Sequence, residues 1–356
     1  MRFDIEVHPF YNEIFSSWFF RTAIANGTDP KSLALAVWKQ NSLWYRDLDK
    51  YIPHDLIIQL SSQTILSYQQ IENLTLAPMI NKLAPNSLAN KYKWGLLLPL
   101  GQKGLIRTNG LQFCPKCLAE DIPYIRKEWK MAWSVACSTH NIQLLLACEK
   151  CNHVFSPHTL SYEQKNIYLC TNCNYDLRKS KTKQANKNAI KFQNILSQLA
   201  FNNQEQQISF SLQFKNNQDL FLTLNIFISF ITHIYYKDKY HNLLETLHIG
   251  TFHKFTKSNN TTFNRYNIND KGYLISCAYE IFQFNTESLI TLFQNHNVSK
   301  KVLQRTYKNI SPTISYILSR LPDSKIHKPP RIVKTKITPK SKKEVDALFE
   351  QIKESL

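Results

Sequence analysis

Glycine is scarce, with 7 residues in a chain of 356. That excludes glycine-rich phosphate loops and dinucleotide fingerprints, and neither G-x-G-x-x-G nor G-x-x-x-x-G-K-[ST] occurs. The shortage, with few valine-rich runs, points to helices instead of a parallel sheet. Long apolar runs are also missing. The most apolar stretch, "LFLTLNIFISFITHIYY" at 220–236, is broken by Thr223, Asn225, Ser229, Thr232 and His233. It falls short of the roughly 20 residues of a membrane span, so it reads as a buried helix and no membrane partner is expected. The opening "MRFDIEVHPF" carries acids and no apolar secretory segment, so a reducing, cytoplasmic setting is expected. Acidic residues are few and scattered, and no H-E-x-x-H occurs, so a metal-dependent hydrolase or nuclease is not expected.

What is abundant is positive charge. The chain holds 44 basic and 26 acidic residues, a formal charge of +18. Residues 1–113 carry 11 basic and 8 acidic groups, residues 114–173 carry 6 and 5, and residues 174–356 carry 27 and 13. A field concentrated in the C-terminal half suits nucleic acid first and an acidic protein surface second.

The pattern is mostly helical. "NEIFSSWFFRTAIANG" places Ile14, Phe15, Trp18, Phe19 and Ala23 on one face, with Asn12 as N-cap and Gly27 as the stop. "DPKSLALAVWKQ" follows, capped by Asp29 with Pro30 in the first turn. Further helices start near Pro53 and at Ser67, where "SYQQ" fits a capping box. Residues 1–80 therefore read as a helix-turn-helix-like bundle. Residues 81–113, punctuated by Pro85, Pro99, Gly101, Gly104 and Gly110, read as a connector. A cysteine region covers 114–173, and the basic stretch "NYDLRKSKTKQANKN" at 174–188 reads as a linker. Residues 189–320 form a C-terminal helical domain, with helix starts at Asp219, Thr286 and Ser311-Pro312 and a polar loop at 257–270. A basic, proline-rich tail spans 321–340. Residues 341–356 close the chain as a short amphipathic helix, with Ser341 and Glu344 as a capping box and Val345, Leu348, Phe349 and Ile352 as an apolar stripe.

The strongest signal is the spacing C-x2-C-x19-C-x2-H-x7-C-x2-C-x18-C-x2-C, formed by Cys114, Cys117, Cys137, His140, Cys148, Cys151, Cys170 and Cys173. Two residues between ligands let a tight turn aim both at one ion about 2.3 Å away, and two such turns close a tetrahedron. The spacing fits tandem zinc ribbons with short β-strands and two structural Zn2+ ions per chain. Sequential pairing joins the first two ligand pairs and then the last two. A cross-braced pairing, as in RING fingers, stays open, but the seven residues "NIQLLLA" between His140 and Cys148 favour the sequential one. His153 and His158 break the spacing and read as surface residues, and Cys277 reads as core. Trp129 and Trp133, four apart, share a face if their segment is helical, and they are expected to pack on the ribbons.

The string "FCPKCLAED…W…AW…ACSTHNIQLLLACEKC" resembles the signature of the TniQ/TnsD family, whose members carry a CPxCLxxD knuckle. "NEIFSSWFFRTAIANG", with Glu13 as its acidic residue, and "LWYRDLDKYIP" are similar to the family's opening helices, so the resemblance spans roughly residues 8–175. It implies a non-catalytic target-selection adaptor of a bacterial transposon. Such an adaptor links a targeting module to an AAA+ ATPase regulator that recruits the transposase. In shorter members the module is an RNA-guided CRISPR effector such as Cascade with its guide RNA, and the adaptor is often a homodimer. The TnsD branch instead reads an attachment site on target DNA directly and is usually longer. This chain is nearer the shorter type, which favours the RNA-guided adaptor. Phosphate or partner contacts are expected from Arg126, Lys127, Lys130, Arg178, Lys179, Lys181 and Lys183.

Overall fold

The computed structural model describes residues 3–39, 44, 46–85, 90–99, 101–103, 106–108, 110–202, 210–256, 262–304, 310–323 and 341–354. The chain is mostly helical, as expected. Residues 1–322 form one compact unit and 323–356 a second. The basic tail expected over 321–340 lies outside the described residues from 324 onward.

The first five helices are α1 (Phe15–Ala25), α2 (Pro30–Trp38), α3 (His54–Ser61), α4 (Tyr68–Leu74) and α5 (Ala77–Leu83). Local chemistry sets most of their ends. The Asp29 carboxylate accepts from the Lys31 and Ser32 amides, with Pro30 in the first turn of α2. Ser67 and Gln70 form the expected capping box on α4. After α1, Gly27 takes φ +73°, and the amides of Gly27 and Thr28 donate to the carbonyls of Ile24 and Ala23. That is a Schellman stop, which needs a left-handed residue at this position.

The start of α1 differs from the expectation. Asn12 is left-handed, with φ 59°, and Ile14 is the N-cap. Residues 12–14 instead pair with 125–127: the Lys127 amide donates to the Asn12 carbonyl at 2.8 Å and the Ile14 amide to the Ile125 carbonyl at 2.9 Å. A tertiary pairing overrides the local cap. Nor does α1 bury only one face. Phe15, Trp18, Phe19 and Ala23 join α2, α3 and α4 in one apolar core, whereas Ile14 and Phe20 enter the core around the cysteines.

The segment 81–113 is not only a connector. Trp94 and Leu96–Leu98 are buried with Met79, Ile80 and Leu83 of α5 in the core of the C-terminal half. A short antiparallel hairpin follows, β1 (Gly101–Lys103) and β2 (Ile106–Thr108), with Gln102 opposite Arg107. The cysteine region carries isolated bridges in place of longer strands. After it come α6 (Lys187–Phe201), α7 (Asn217–Ile234), α8 (His241–Thr246), α9 (Ile268–Phe282), α10 (Thr286–Asn295), α11 (Lys300–Gln304) and α12 (Pro312–Arg320).

The apolar run at 220–236 lies largely in α7, which packs against α5, α9, α11 and α12; among the described residues no helix is long and apolar enough to cross a membrane. Ser311 caps α12 as expected. Asn216, not Asp219, caps α7. Asp219 sits three residues further in, buried, where Thr313 donates to it from both its amide and its hydroxyl. Helix α10 begins at Thr286 as expected, with Asn285 as its cap. Of the polar loop expected at 257–270, residues 257–261 lie outside the described residues; Phe263 and Tyr266 are core, and α9 begins at Ile268. Cys277 is buried in this core, as expected, and burial pushes its thiol up to about 12. In the second unit, α13 (Lys342–Glu354) follows the expected Ser341–Glu344 capping box, with Val345, Leu348, Phe349 and Ile352 all exposed.

Buried carboxamides tie the cysteine region to its neighbours. Gln193 of α6 accepts from the amides of Val135 and Ala136 at 2.8 and 3.0 Å and donates to the Ala136 carbonyl at 2.8 Å. It stands in for a neighbouring strand. Gln112 donates to the carbonyls of Trp129 and Ser134 at 3.0 and 2.7 Å. Replacing Gln193 by Ala strands three buried backbone groups, so Gln193→Ala is expected to lower unfolding stability by about 3 kcal/mol. A urea midpoint within error of the parent protein would contradict that.

Candidate metal centres

The knuckles share one local design. In three of them the second ligand is followed by an asparagine in the left-handed region: Asn141, Asn152 and Asn174, with φ of 54°, 55° and 56°. Each asparagine amide donates back to the carbonyl of the first ligand residue, Cys137, Cys148 or Cys170, at 2.8–3.0 Å. The amides of those same cysteines close the loops from the other side, donating to the carbonyls of Ile142, His153 and Tyr175 at 2.8–2.9 Å. The single bridges Ala136–Gln143, Ala147–Val154 and Leu169–Asp176 then shut the three loops. Asparagine tolerates this conformation better than other non-glycine residues. The fourth knuckle, Cys114–Cys117, continues into a 3₁₀ turn, with the Leu118 amide donating to the Cys114 carbonyl. The threefold repeat of asparagine after the second ligand is visible in the sequence and is the local signal for these turns.

The ligand atoms gather in two sets, Cys114, Cys117, Cys137 and His140, and Cys148, Cys151, Cys170 and Cys173. These are the sequential pairs; cross-bracing would instead have set Cys114 and Cys117 beside Cys148 and Cys151. In the first set the Cys117 and Cys137 sulfurs are 3.5 Å apart. His140 Nδ1 lies 3.6, 3.4 and 3.5 Å from the sulfurs of Cys114, Cys117 and Cys137. In the second set Cys148–Cys173 and Cys151–Cys170 are 3.7 and 3.6 Å apart. Four sulfurs about 2.3 Å from one zinc would stand about 3.8 Å apart, and sulfur to imidazole nitrogen about 3.6 Å. The separations fit one tetrahedral ion per set.

The electrostatics fit too. Burial pushes the Cys170 thiol up to about 12, and the sulfurs of Cys151 and Cys148 add to the shift. Such thiols ionise together only around a cation. The two sets share one apolar core with Leu118, Trp129, Ile142, Leu144, Leu160 and Leu177. The Phe113 and Phe155 rings, 4.9 Å apart, join the first ligand set to the second.

Trp129 packs on the ribbons as expected, but Trp133 does not, and the two do not share a face. The segment makes one 3₁₀ turn, Lys127–Lys130, and then extends, so Trp129 enters the metal core and Trp133 the C-terminal core against Trp94 and Phe221. His158 is half-buried and stacks on Trp44 at 5.0 Å, in a turn packed on α1 and α2. His153 is half-buried as well, so neither histidine is the simple surface residue expected.

The expected contact residues divide. Lys130 has 0 % exposure and pairs with Asp47 at 2.9 Å, with Asp49 at 4.0 Å, so it does not meet a phosphate. Asp49 also accepts from the amide and hydroxyl of Ser16 at 2.7 and 2.9 Å. Asp47-Leu48-Asp49 is a D-x-D spacing, contrary to the expectation of scattered acids without one, and here it anchors α1 to the metal region. Lys127 donates to the Asn73 carbonyl at the end of α4, and burial lowers its affinity for the proton. Arg126 is half-buried over Tyr124 and donates to Thr139.

Arg178, Lys179, Lys181 and Lys183 are exposed, but their segment is no free linker. Leu177 and Ser180 are buried, the Lys181 amide donates to Glu149, and Gln184 pairs with Ile142. The stretch straps both ligand sets and presents basic side chains along them. Arg178 is held over the Tyr168 ring at 3.7 Å and chelated by Asp176.

Residues 5–144 match the family model described as TniQ. No curated protein matches the chain. The matched segment takes in α1 to α5 and the first ligand set and ends before Cys148, short of the roughly 8–175 suggested by the motifs.

Two outcomes follow from this geometry. Metal analysis should find about two zinc ions per chain. Cys148→Ser and Cys170→Ser should each remove one, and their combination no more than one; a double variant with no metal would point to cross-bracing. The second concerns Asp49, whose carboxyl burial raises from 3.8 to about 6, with Lys130 opposing and Asp47 adding to the shift. Between those values the native state holds a proton that the unfolded chain releases, so this group's contribution to stability falls as pH rises from about 4 to about 6. Asp49→Asn lacks that loss. Its stability relative to the parent should climb across the window by up to about 3 kcal/mol, read from urea midpoints at each pH. A constant difference would contradict the assignment.

Proposed function

We propose that this protein, a member of the TniQ family through residues 5–144, is a non-catalytic target-selection adaptor for DNA transposition. It joins a DNA-targeting module, an RNA-guided Cascade-type effector, to an AAA+ regulator and through it to the transposase. The observation that carries this reading is the family match itself. Two further features support it. Both ligand sets supply four protein donors, the arrangement of a structural zinc site, which leaves no position for a reacting water. The exposed basic residues line a strap fixed across both sets, a suitable phosphate-facing surface.

A TnsD-like protein reading DNA directly would draw on the same positive field, 27 basic against 13 acidic residues over 174–356. Helix α2 offers it little. In α2, the second helix after the four-residue turn 26–29, the exposed residues are Lys31, Ser32, Leu35 and Ala36, one cation and two apolar side chains. A base-reading helix carries more donors than that.

The test is co-purification of the tagged chain from cells expressing candidate effector and ATPase genes, with and without guide RNA. The adaptor reading expects both partners and a guide-dependent effector. Tight binding of one duplex alone, at about 10⁻⁸ M, would replace it with direct reading. Replacing Lys179, Lys181 and Lys183 together by Gln should reduce the slope of log affinity against log salt by about 2 to 3. An unchanged slope would take the strap out of the contact.

A further inference from the structure

Tyr11 is 83 % exposed, although the chain on both sides of it is tied down. Phe10 stacks on Tyr124 at 4.9 Å, under the Arg21 guanidinium, and its amide donates to Glu13 at 3.0 Å. Asn12 is held through its carbonyl by the Lys127 amide at 2.8 Å and through its side chain by Glu128 at 3.3 Å. A large ring on pinned backbone loses little freedom when something stacks on it, the usual economy of an aromatic anchor.

Tyr11 lines a cleft of about 280 Å³, small for a ligand pocket. The other walls are Asn12, Glu128 and Ser138 on one side, and Asn194 and Gln198 of α6 with its C-cap Asn202 on the other. The lining holds four carboxamides besides the buried Gln193, hydroxyls, one carboxylate and no cation. Phosphate alone therefore finds no cation inside. Cations stand just outside. Arg126 donates to Thr139, next to Ser138, and Lys127 adjoins Glu128.

Carboxamides and a carboxylate are the groups that pair with the edges of a base, where donors and acceptors alternate. An exposed aromatic beside them matches the stacking platforms that take single-stranded nucleic acid. A duplex keeps its bases stacked inside and has none to offer here. We propose that this cleft receives one unpaired nucleobase stacked on Tyr11, with the adjoining phosphate on Arg126. The proposal rests on the reading of the chain as a nucleic-acid-associated adaptor and assigns it a single-strand site distinct from the basic strap.

The test uses the full-length, zinc-loaded chain and fluorescein-labelled 12-mers of A, C and U as RNA, of A, C and T as DNA, and a duplex of equal length, read by fluorescence anisotropy. At least one single strand should bind more tightly than the duplex. Tyr11→Ala should weaken that single strand about tenfold, Tyr11→Phe should restore it, and duplex affinity should stay constant. Because Tyr11 lies outside the core, both variants should keep the parent melting temperature and metal content. Equal binding by Tyr11→Ala and the parent overturns the proposal. So does a parent that binds no single strand better than duplex, which would leave the cleft to an extended protein segment. Co-purification with effector and ATPase reads the adaptor role separately, so either idea can fall while the other stands.

Discussion

A buried thiolate is tolerable only beside positive charge, and seven cysteines with one histidine are drawn into two tetrahedral sets on that condition. The rest of residues 110–185 is arranged around it. The segment carries single bridges instead of sheets and short 3₁₀ turns instead of helices, so little backbone pairing holds it. Its order comes from ligand closure and from knuckles in which an asparagine turns the chain back on the first ligand. The apolar residues between the knuckles then meet in one shared core, and α1 contributes Ile14 and Phe20 to it.

Polar ties carry this order outward. Lys130, Asp47, Asp49 and Ser16 form a buried charged knot between the metal region and the first helices. Gln193 binds the same region to α6, and Gln112 binds the Trp129–Ser134 segment to the chain before Cys114. Groups of this kind stabilise only when nearly every donor and acceptor is met, so they specify one relative placement of the elements they join. In the proposed adaptor, that fixed placement would let one partner, held at the strap or the cleft, be presented in a defined orientation to another.

The stretch matched to the TniQ family closes between the two ligand sets, yet the packing runs on without a seam. Phe113 stacks on Phe155, and Trp44 stacks on His158. The turn Pro157–Thr159, carried in the long loop of the second set, rests on α1 and α2. A metal at the second set would therefore bear on helices that lie wholly within the matched segment. A sequence boundary marks where similarity fades, and here it does not mark a structural joint.

The mostly helical class, the eight ligands and their sequential preference, the caps at Asp29, Ser67, Ser311 and Ser341 and the buried helix at 220–236 were legible in the sequence. Each is a matter of a few neighbouring residues, where spacing and side-chain chemistry suffice. Long-range partnership was not legible. Lys130 looked like a solvated cation because Asp47 and Asp49 lie some 80 positions away along the chain. Asn12 looked like a cap because its pairing with Lys127 leaves no local trace. The strap at 174–188 looked like a linker, since polar composition does not reveal that its backbone is claimed by Glu149 and Ile142. Tertiary structure decided these because burial and hydrogen bonding between distant segments outweigh the few tenths to about 1 kcal/mol of local preference that a sequence displays.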